Sequence, residues 1–229
     1  DVGLHALTNF VPVSERRAPL NILLRQLRLQ RDDLQLCPQS YSIVDFPGTK
    51  LRFSNDFELL SAEVSREFPD HIDEFIKFSD YIRASDPYNS RAEFKSSKAV
   101  LKDFISSSKL RNMLSMPLMY YGNPLSSDMD FKQFSILFHS IFLEGLARPA
   151  IGMKNFIDIL LKKIQDAGAE ISLNNPITKI HGNCQEITGV SDSKGKTYKA
   201  KTYITNAGVL ETTKLCENPP EEWQNAKKG

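Results

Sequence analysis

Residues 152–183, GMKNFIDILLKKIQDAGAEISLNNPITKIHGN, change their apolar period halfway along. Met153, Phe156, Ile157, Leu160, Leu161, Ile164 and Ala167 fall at steps of three and four, which places them on one stripe of an α-helix. Gly168 stands where a left-handed cap would stop that helix. Ala169, Ile171 and Leu173 then alternate as a strand does, until Asn174, Asn175 and Pro176 end the pattern. Beyond Pro176, turn residues at Gly182-Asn183 and Ser193-Lys194-Gly195 divide the chain into three short strands. A helix that stops on glycine and feeds a strand and then a three-stranded meander commits this half of the chain to a mixed α/β class.

Before Pro149 the character is mostly helical. DVGLHALTNF at the start is short and extended, and Leu20, Leu23, Leu24 and Leu27 then fall at helical spacing. Residues 40–53, SYSIVDFPGTKLRF, alternate on either side of Pro47-Gly48 as a hairpin does. Ser54, Asn55 and Asp56 are capping candidates for a helix carrying Phe57, Leu60, Val64 and Phe68. Pro69 ends it, and Asp70 is expected to cap a second helix with Ile72, Phe75, Ile76 and Ile82. A third helical region is expected over 98–116, then a loop with Gly122 and Pro124, then a helix over 130–146. The pattern predicts two domains: 1–148, helix-rich with a β-hairpin, and 149–229, α/β. The terminal ENPPEEWQNAKKG reads as a polar linker. Position 1 is Asp and the methionines fall between Met113 and Met153, so the chain is expected to be a piece of a longer protein.

Composition narrows the function classes. Apolar residues at 41% and charged residues at 25% are ordinary globular values. The net charge of +1, from 29 basic and 28 acidic residues, gives no electrostatic reason to expect nucleic acid as a partner. The densest apolar run, 136–146, is broken by His139, Ser140, Glu144 and Gly145, so no membrane span is read. The start has no secretory signal pattern. Cys37, Cys184 and Cys216 form no CxxC pair, which favours a reducing, cytoplasmic location. No glycine falls in a GxGxxG or GxxxxGK[ST] pattern, so no phosphate cradle is encoded. His5, His71, His139 and His181 are isolated in sequence, no metal site is expected, and Ser140 lacks a nucleophile elbow.

Three landmarks in order carry a resemblance. PAIGMKNFIDILLKKIQDAGAEISLNNPITKI is similar to the "P-GGM-x-x-L-x-x-x-L…G-x-x-I-x-x-x-x-x-V-x-x-I" segment of phytoene-desaturase-like flavin oxidoreductases, with Ile151 in place of the first glycine of the GGM pair. GVSDSKGKTYKAKTYITNA resembles their meander and returning strand, and DVGLHALTNF the strand that enters their substrate region. The resemblance implies a discontinuous, Rossmann-like FAD-binding domain of which 152–207 is the middle instalment, beside an α+β substrate domain at 1–148. It implies that the Ile177 backbone lies against the adenine end of FAD, and that Asn206 and Ala207 end the strand returning to the cofactor. The reaction it implies is transfer of hydrogen across a carbon–carbon bond of an apolar, carotenoid- or prenyl-like substrate. The fragment alone is then expected to be inactive, to hold FAD weakly or not at all, and to self-associate. An amine-oxidase-like flavoenzyme fragment, or a non-catalytic module that binds apolar ligands or membranes, are the alternatives.

The candidate substrate pocket is built from His5, Met116, Met119, Tyr120, Phe134, Phe138 and Phe142. The Phe stripe suits the wall of a channel for a long apolar chain, but its helical spacing favours a plain core. Met113, Met116 and Met119 offer adaptable surface or gap-filling, and a lone His5 serves a flavin or the structure. No side chain is named as catalytic acid or base. Arg16, Arg17, Arg25, Arg28 and Arg31 form a basic run that either touches anionic lipid headgroups, as a peripheral membrane contact, or is a solvated helix face.

Overall fold

A computed structural model describes residues 6–85, 93–121, 128–183 and 185–224. It divides into two compact units, Asp1–Lys163 and Ile164–Gly229. His5, Cys184 and the loop bearing Gly122 and Pro124 lie outside the described residues.

In the first unit, β1 (Leu7–Thr8) precedes helix α1 (Pro19–Gln26), the single turn α2 (Arg31–Leu34) and β2 (Leu36–Pro38). The expected hairpin is β3 (Ser42–Phe46) and β4 (Thr49–Phe53), with Val44 opposite Leu51 and both buried. Helix α3 (Phe57–Glu67) starts at Asp56, whose carboxylate accepts the Glu58 N–H at 3.0 Å. Helix α4 (Ile72–Ala84) comes next. Asp70 does not cap it: that residue lies in the 3-10 turn Pro69–His71, and His71 occupies the cap position without a side-chain bond to the helix backbone. The region read as one helix over 98–116 is two, α5 (Ser97–Phe104) and α6 (Ser108–Met119). The Ser106-Ser107-Ser108 run supplies the reason, since serine hydroxyls compete for backbone groups. Ser107 Oγ accepts the Leu110 N–H and starts α6 afresh.

Helix α7 (Phe131–Phe138) is shorter than expected over 130–146; it loosens into a π-helical turn, His139–Leu143, and gives way to β5 (Leu146–Pro149). The tertiary partners of this stretch are β1 and β2, which pair with it on either side, and Asn55. The Asn55 side chain brackets Leu146, donating to the carbonyl at 2.9 Å and accepting the N–H at 2.8 Å. β5 is the centre of an antiparallel sheet of order β1-β5-β2. The core between the hairpin and α3–α7 closes around Phe53, Phe75, Phe78, Phe134, Phe138 and Phe142. A second cluster, Leu20, Leu24, Leu29 and Leu34, takes Phe156, Ile159 and Leu160 from helix α8 (Met153–Asp166). That packing carries the first unit past the change of sequence character at Pro149 and into α8.

α8 ends as its sequence dictates: Gly168 adopts φ +83°, and the Gly168 and Ala169 N–H groups close back on Gln165 and Ile164. In the second unit β6 (Ile177–Gly182), β7 (Ile187–Asp192) and β8 (Thr197–Tyr198) form the expected antiparallel meander. Helices α9 (Val209–Leu215) and α10 (Glu221–Gln224) complete the unit. Two strands expected from the alternation do not form. Residues 169–173 and 202–206 are irregular and belong to no ladder, because no described strand lies alongside to complete their hydrogen bonds. The terminal stretch read as a polar linker contains α10, which the Pro219-Pro220 pair starts. The class remains mixed α/β, with small sheets.

Candidate functional site

Two irregularities of the meander create its most distinctive surface. On a regular strand, residues three apart point to opposite faces. Ile177 and Ile180 nevertheless line one cavity, together with Ile187 and Val190. The register explains it. Ile177 pairs with Asp192 and Lys179 with Ser191, which leaves Thr178 as an extra residue on β6. His181 pairs with Gly189 and Gly182 with Ile187, which leaves Thr188 as an extra residue on β7. Each bulge turns the strand by one position and brings an isoleucine to the face of its neighbour. The Thr178 hydroxyl holds the first bulge, reaching the carbonyls of Ser191 and Asp192 at 3.3 and 3.2 Å.

The cavity has a volume of about 630 Å³. Ile177, Ile180, Ile187, Val190, Leu215 and Trp223 supply apolar walls, and Thr202, Thr205, Asn206 and Thr212 supply polar groups. The strip 202–207 is pinned over it by short-range bonds. Tyr203 OH accepts the Ala200 N–H at 2.8 Å, the Thr205 and Thr212 hydroxyls share a bond of 3.1 Å, and Thr205 Oγ1 accepts the Ala207 N–H at 3.3 Å. Asp192 anchors the other end. Its carboxylate accepts Asn175 Nδ2 and Tyr198 OH at 2.8 Å and the Lys194 and Lys196 N–H groups at 2.9 Å. These donors, Asn175 first, hold its pKa down at about 2.

Glu217 ties α9 and α10 to the meander. Its N–H donates to the Ile180 carbonyl at 3.0 Å, and its carboxylate meets Lys179 Nζ at 2.8 Å and His181 Nδ1 at 3.2 Å. The Lys179 and His181 bonds bring the Glu217 pKa to about 2. The other His181 nitrogen lies 2.6 Å from Ser191 Oγ, so a histidine isolated in sequence is laced into three elements. Ser191 Oγ is itself shared with Thr197 Oγ1 at 2.9 Å, which marks the series as a cross-strand ladder.

Of the residues singled out in the sequence, Ile177, Asn206 and Ala207 come together in this cavity. Ile177 is not a buried strand residue; it is 37% exposed. Asn206 and Ala207 reach the cavity from an irregular segment and not from a returning strand. The described members of the substrate-pocket set do not converge. Phe134, Phe138 and Phe142 are sealed in the core of the first unit, ring against ring at 6.1 and 4.9 Å, because their helical stripe faces α4 and the hairpin. Met116 is half-buried against that core, and Met119 and Tyr120 are exposed on its surface. Sequence reasoning missed Ile180, Ile187, Val190, Thr205 and Trp223. The three-residue spacing repeated in ITKI and ITGV was the available sign. Among the described residues no three His, Cys, Asp or Glu side chains gather as a metal site, and no helix is long and apolar enough to cross a membrane.

The family model described as flavin containing amine oxidoreductase matches residues 1–228. The phytoene desaturase (lycopene-forming) of Pantoea ananas is 24% identical over 157 residues, which are 67% of this chain and 31% of that protein. The crystal structure of an oxidoreductase from Methanosarcina mazei matches in fold with a TM-score of 0.62 and 17% identity, over 93% of this chain and 48% of that one. This chain thus spans less than half the length of either protein.

Proposed function

The chain belongs to the flavin containing amine oxidoreductase family, and on that premise we propose that its bulged meander is one wall of the cofactor site of an FAD-dependent oxidoreductase. The observation that carries this reading is the convergence of Ile177, Asn206 and Ala207 on one cavity. The residues present fit part of the group. The half-open Ile177, with Ile180, Ile187 and Val190, offers an apolar surface to a planar ring, and Thr205 and Asn206 offer hydroxyl and amide groups at its edge. Among the described residues no lysine or arginine lines the cavity, so a pyrophosphate finds no charge partner among them. When bound, a flavin supplies hydride-accepting chemistry. The residues of this chain contribute contact, orientation and exclusion of water.

The proposed substrate class is apolar, carotenoid- or prenyl-like, oxidised or reduced across a carbon–carbon bond; the similarity to a phytoene desaturase supports it. Phe134, Phe138 and Phe142 take no part in that contact, and the apolar groups of the candidate pocket that stand exposed are Met119 and Tyr120. The family description supports a second reading, an amine substrate. Both readings share the flavin site.

An amide-resolved NMR titration of the chain with FAD tests the cofactor reading. A lone net hydrogen bond is worth on the order of 1 kcal/mol, so binding is expected to be weak and in fast exchange. The expected result is progressive shifts at Ile177, Asn206 and Ala207, lost in an Ile177→Asp variant. Signals at these positions that stay fixed under saturating FAD overturn the assignment.

A further inference from the structure

The arginine run of the first unit is not spread over one solvated helix face. Arg16, Arg25 and Arg31 converge on a cavity of about 310 Å³, whose other polar groups are Asn21 and Gln30 and whose lining holds no Asp or Glu. Three short-range devices put them there. Asn21, buried at the start of α1, donates to the carbonyls of Pro12 and Glu15, both at 3.0 Å, and so folds the loop carrying Arg16 back over the helix. Arg25 lies one turn beyond Asn21 on α1. Gln30 and Asp33 close a capping box at the start of α2, which fixes Arg31 as its first residue and engages the Asp33 carboxylate.

Arg31 is the unusual member. Its guanidinium lies over the Phe10 ring, 4.8 Å from the centroid. Its Nε and Nη2 atoms are buried without a hydrogen-bond acceptor among the described residues. Burial pushes its pKa below the ordinary arginine value. Arg16 and Arg25 likewise have no ion-pair partner among the described residues, and both are exposed. Buried donors without acceptors are rare because each forfeits its bonds to water. Three guanidinium side chains line a cavity of ligand size whose described wall holds no counter-charge, and such a concentration of positive charge attracts an anion.

We propose that this cavity is a binding site for a phosphate group, carried by a soluble phosphate ester or by an anionic lipid headgroup. Guanidinium forks match phosphate oxygens in pairs, and three of them around one cavity more than offset the charge of about −2 on a phosphate monoester. The site lies wholly in the first unit and is independent of the flavin reading.

The purified 229-residue chain is titrated calorimetrically with inorganic phosphate and with glycerol phosphate at fixed ionic strength. In parallel it is sedimented with phosphatidylcholine vesicles with and without phosphatidic acid. Saturable binding of the soluble phosphates identifies a soluble source. Binding only to the phosphatidic acid vesicles identifies the headgroup. Either is expected to weaken about tenfold or more in Arg31→Met, the loss of a charge-assisted bond. Because Arg31 also packs on Phe10, the double variant Arg16→Gln/Arg25→Gln repeats the test at exposed side chains, and circular dichroism checks that it is folded. No binding in either arm overturns the proposal. So does binding that the folded double variant retains at full strength.

Discussion

Replacing Phe138 with alanine decides whether the phenylalanine stripe is a core or a channel wall. Phe138 is fully buried, with the rings of Phe78, Phe134 and Phe142 at 5.7, 6.1 and 4.9 Å between centroids. Truncation removes a whole ring from a closed site, and such changes cost about 3–5 kcal/mol, the transfer of the ring plus the cavity left behind. The three ring contacts place it at the upper end, since aromatic pairs add about 0.5–1.5 kcal/mol beyond their buried area. A domain is stable by only about 5–15 kcal/mol, so the variant should lose a large part of its resistance to urea. Far-ultraviolet circular dichroism tracks the transition, because Phe138 packs among the helices that dominate that signal. The control is Tyr120→Ala: Tyr120 is 84% exposed, and its removal should change stability by no more than about 0.5 kcal/mol. A Phe138→Ala loss below about 1 kcal/mol would mean that the ring faces open space, and the core assignment would fail.

Two further expectations concern the meander. The Asp192 and Glu217 carboxyls, both held at about 2, lie below their unfolded values of about 3.9 and 4.3. Each therefore contributes stability that is complete above its unfolded value and lost as pH falls toward its folded one. Acid titration of the meander amides should show unfolding between about pH 4 and 2, and Asp192→Asn should remove part of that dependence; a pH-independent profile in the parent chain refutes it. Gly182 has φ +136°, and a Cβ there would run into the Glu186 carbonyl. Gly182→Ala should destabilise the β6–β7 turn by about 1–3 kcal/mol, read by amide hydrogen exchange; unchanged protection at Ile180 and Val190 refutes it.

What the sequence made legible was local. The hairpin, the Asp56 cap of α3, the Gly168 stop of α8 and the turns of the meander are each decided within a few residues, and each formed where its residues indicated. What it hid depends on partners far away in the chain. β5 is held by partners far earlier in the chain: β1 and β2 pair with it on either side, and Asn55, 91 residues before Leu146, brackets that residue. From its own residues that stretch continues a helix. Residues 169–173 fail in the opposite sense: Ile171 and Leu173 alternate well, but alternation states which face a residue would take and not whether a neighbouring strand is there.

The cavity falls between these cases. Strict alternation along β6 would set Ile177 and Ile180 on opposite faces. The sequence repeats the exception: ITKI on one strand and ITGV on the next place apolar residues three apart at equivalent positions. One such lapse is noise. Two on adjacent antiparallel strands, each with a threonine at the extra position, are what a pair of bulges requires to bring four apolar side chains to one face. Bulges concentrate where a sheet must re-aim a side chain, so the broken alternation held more information about the site than the regular parts of the same strands.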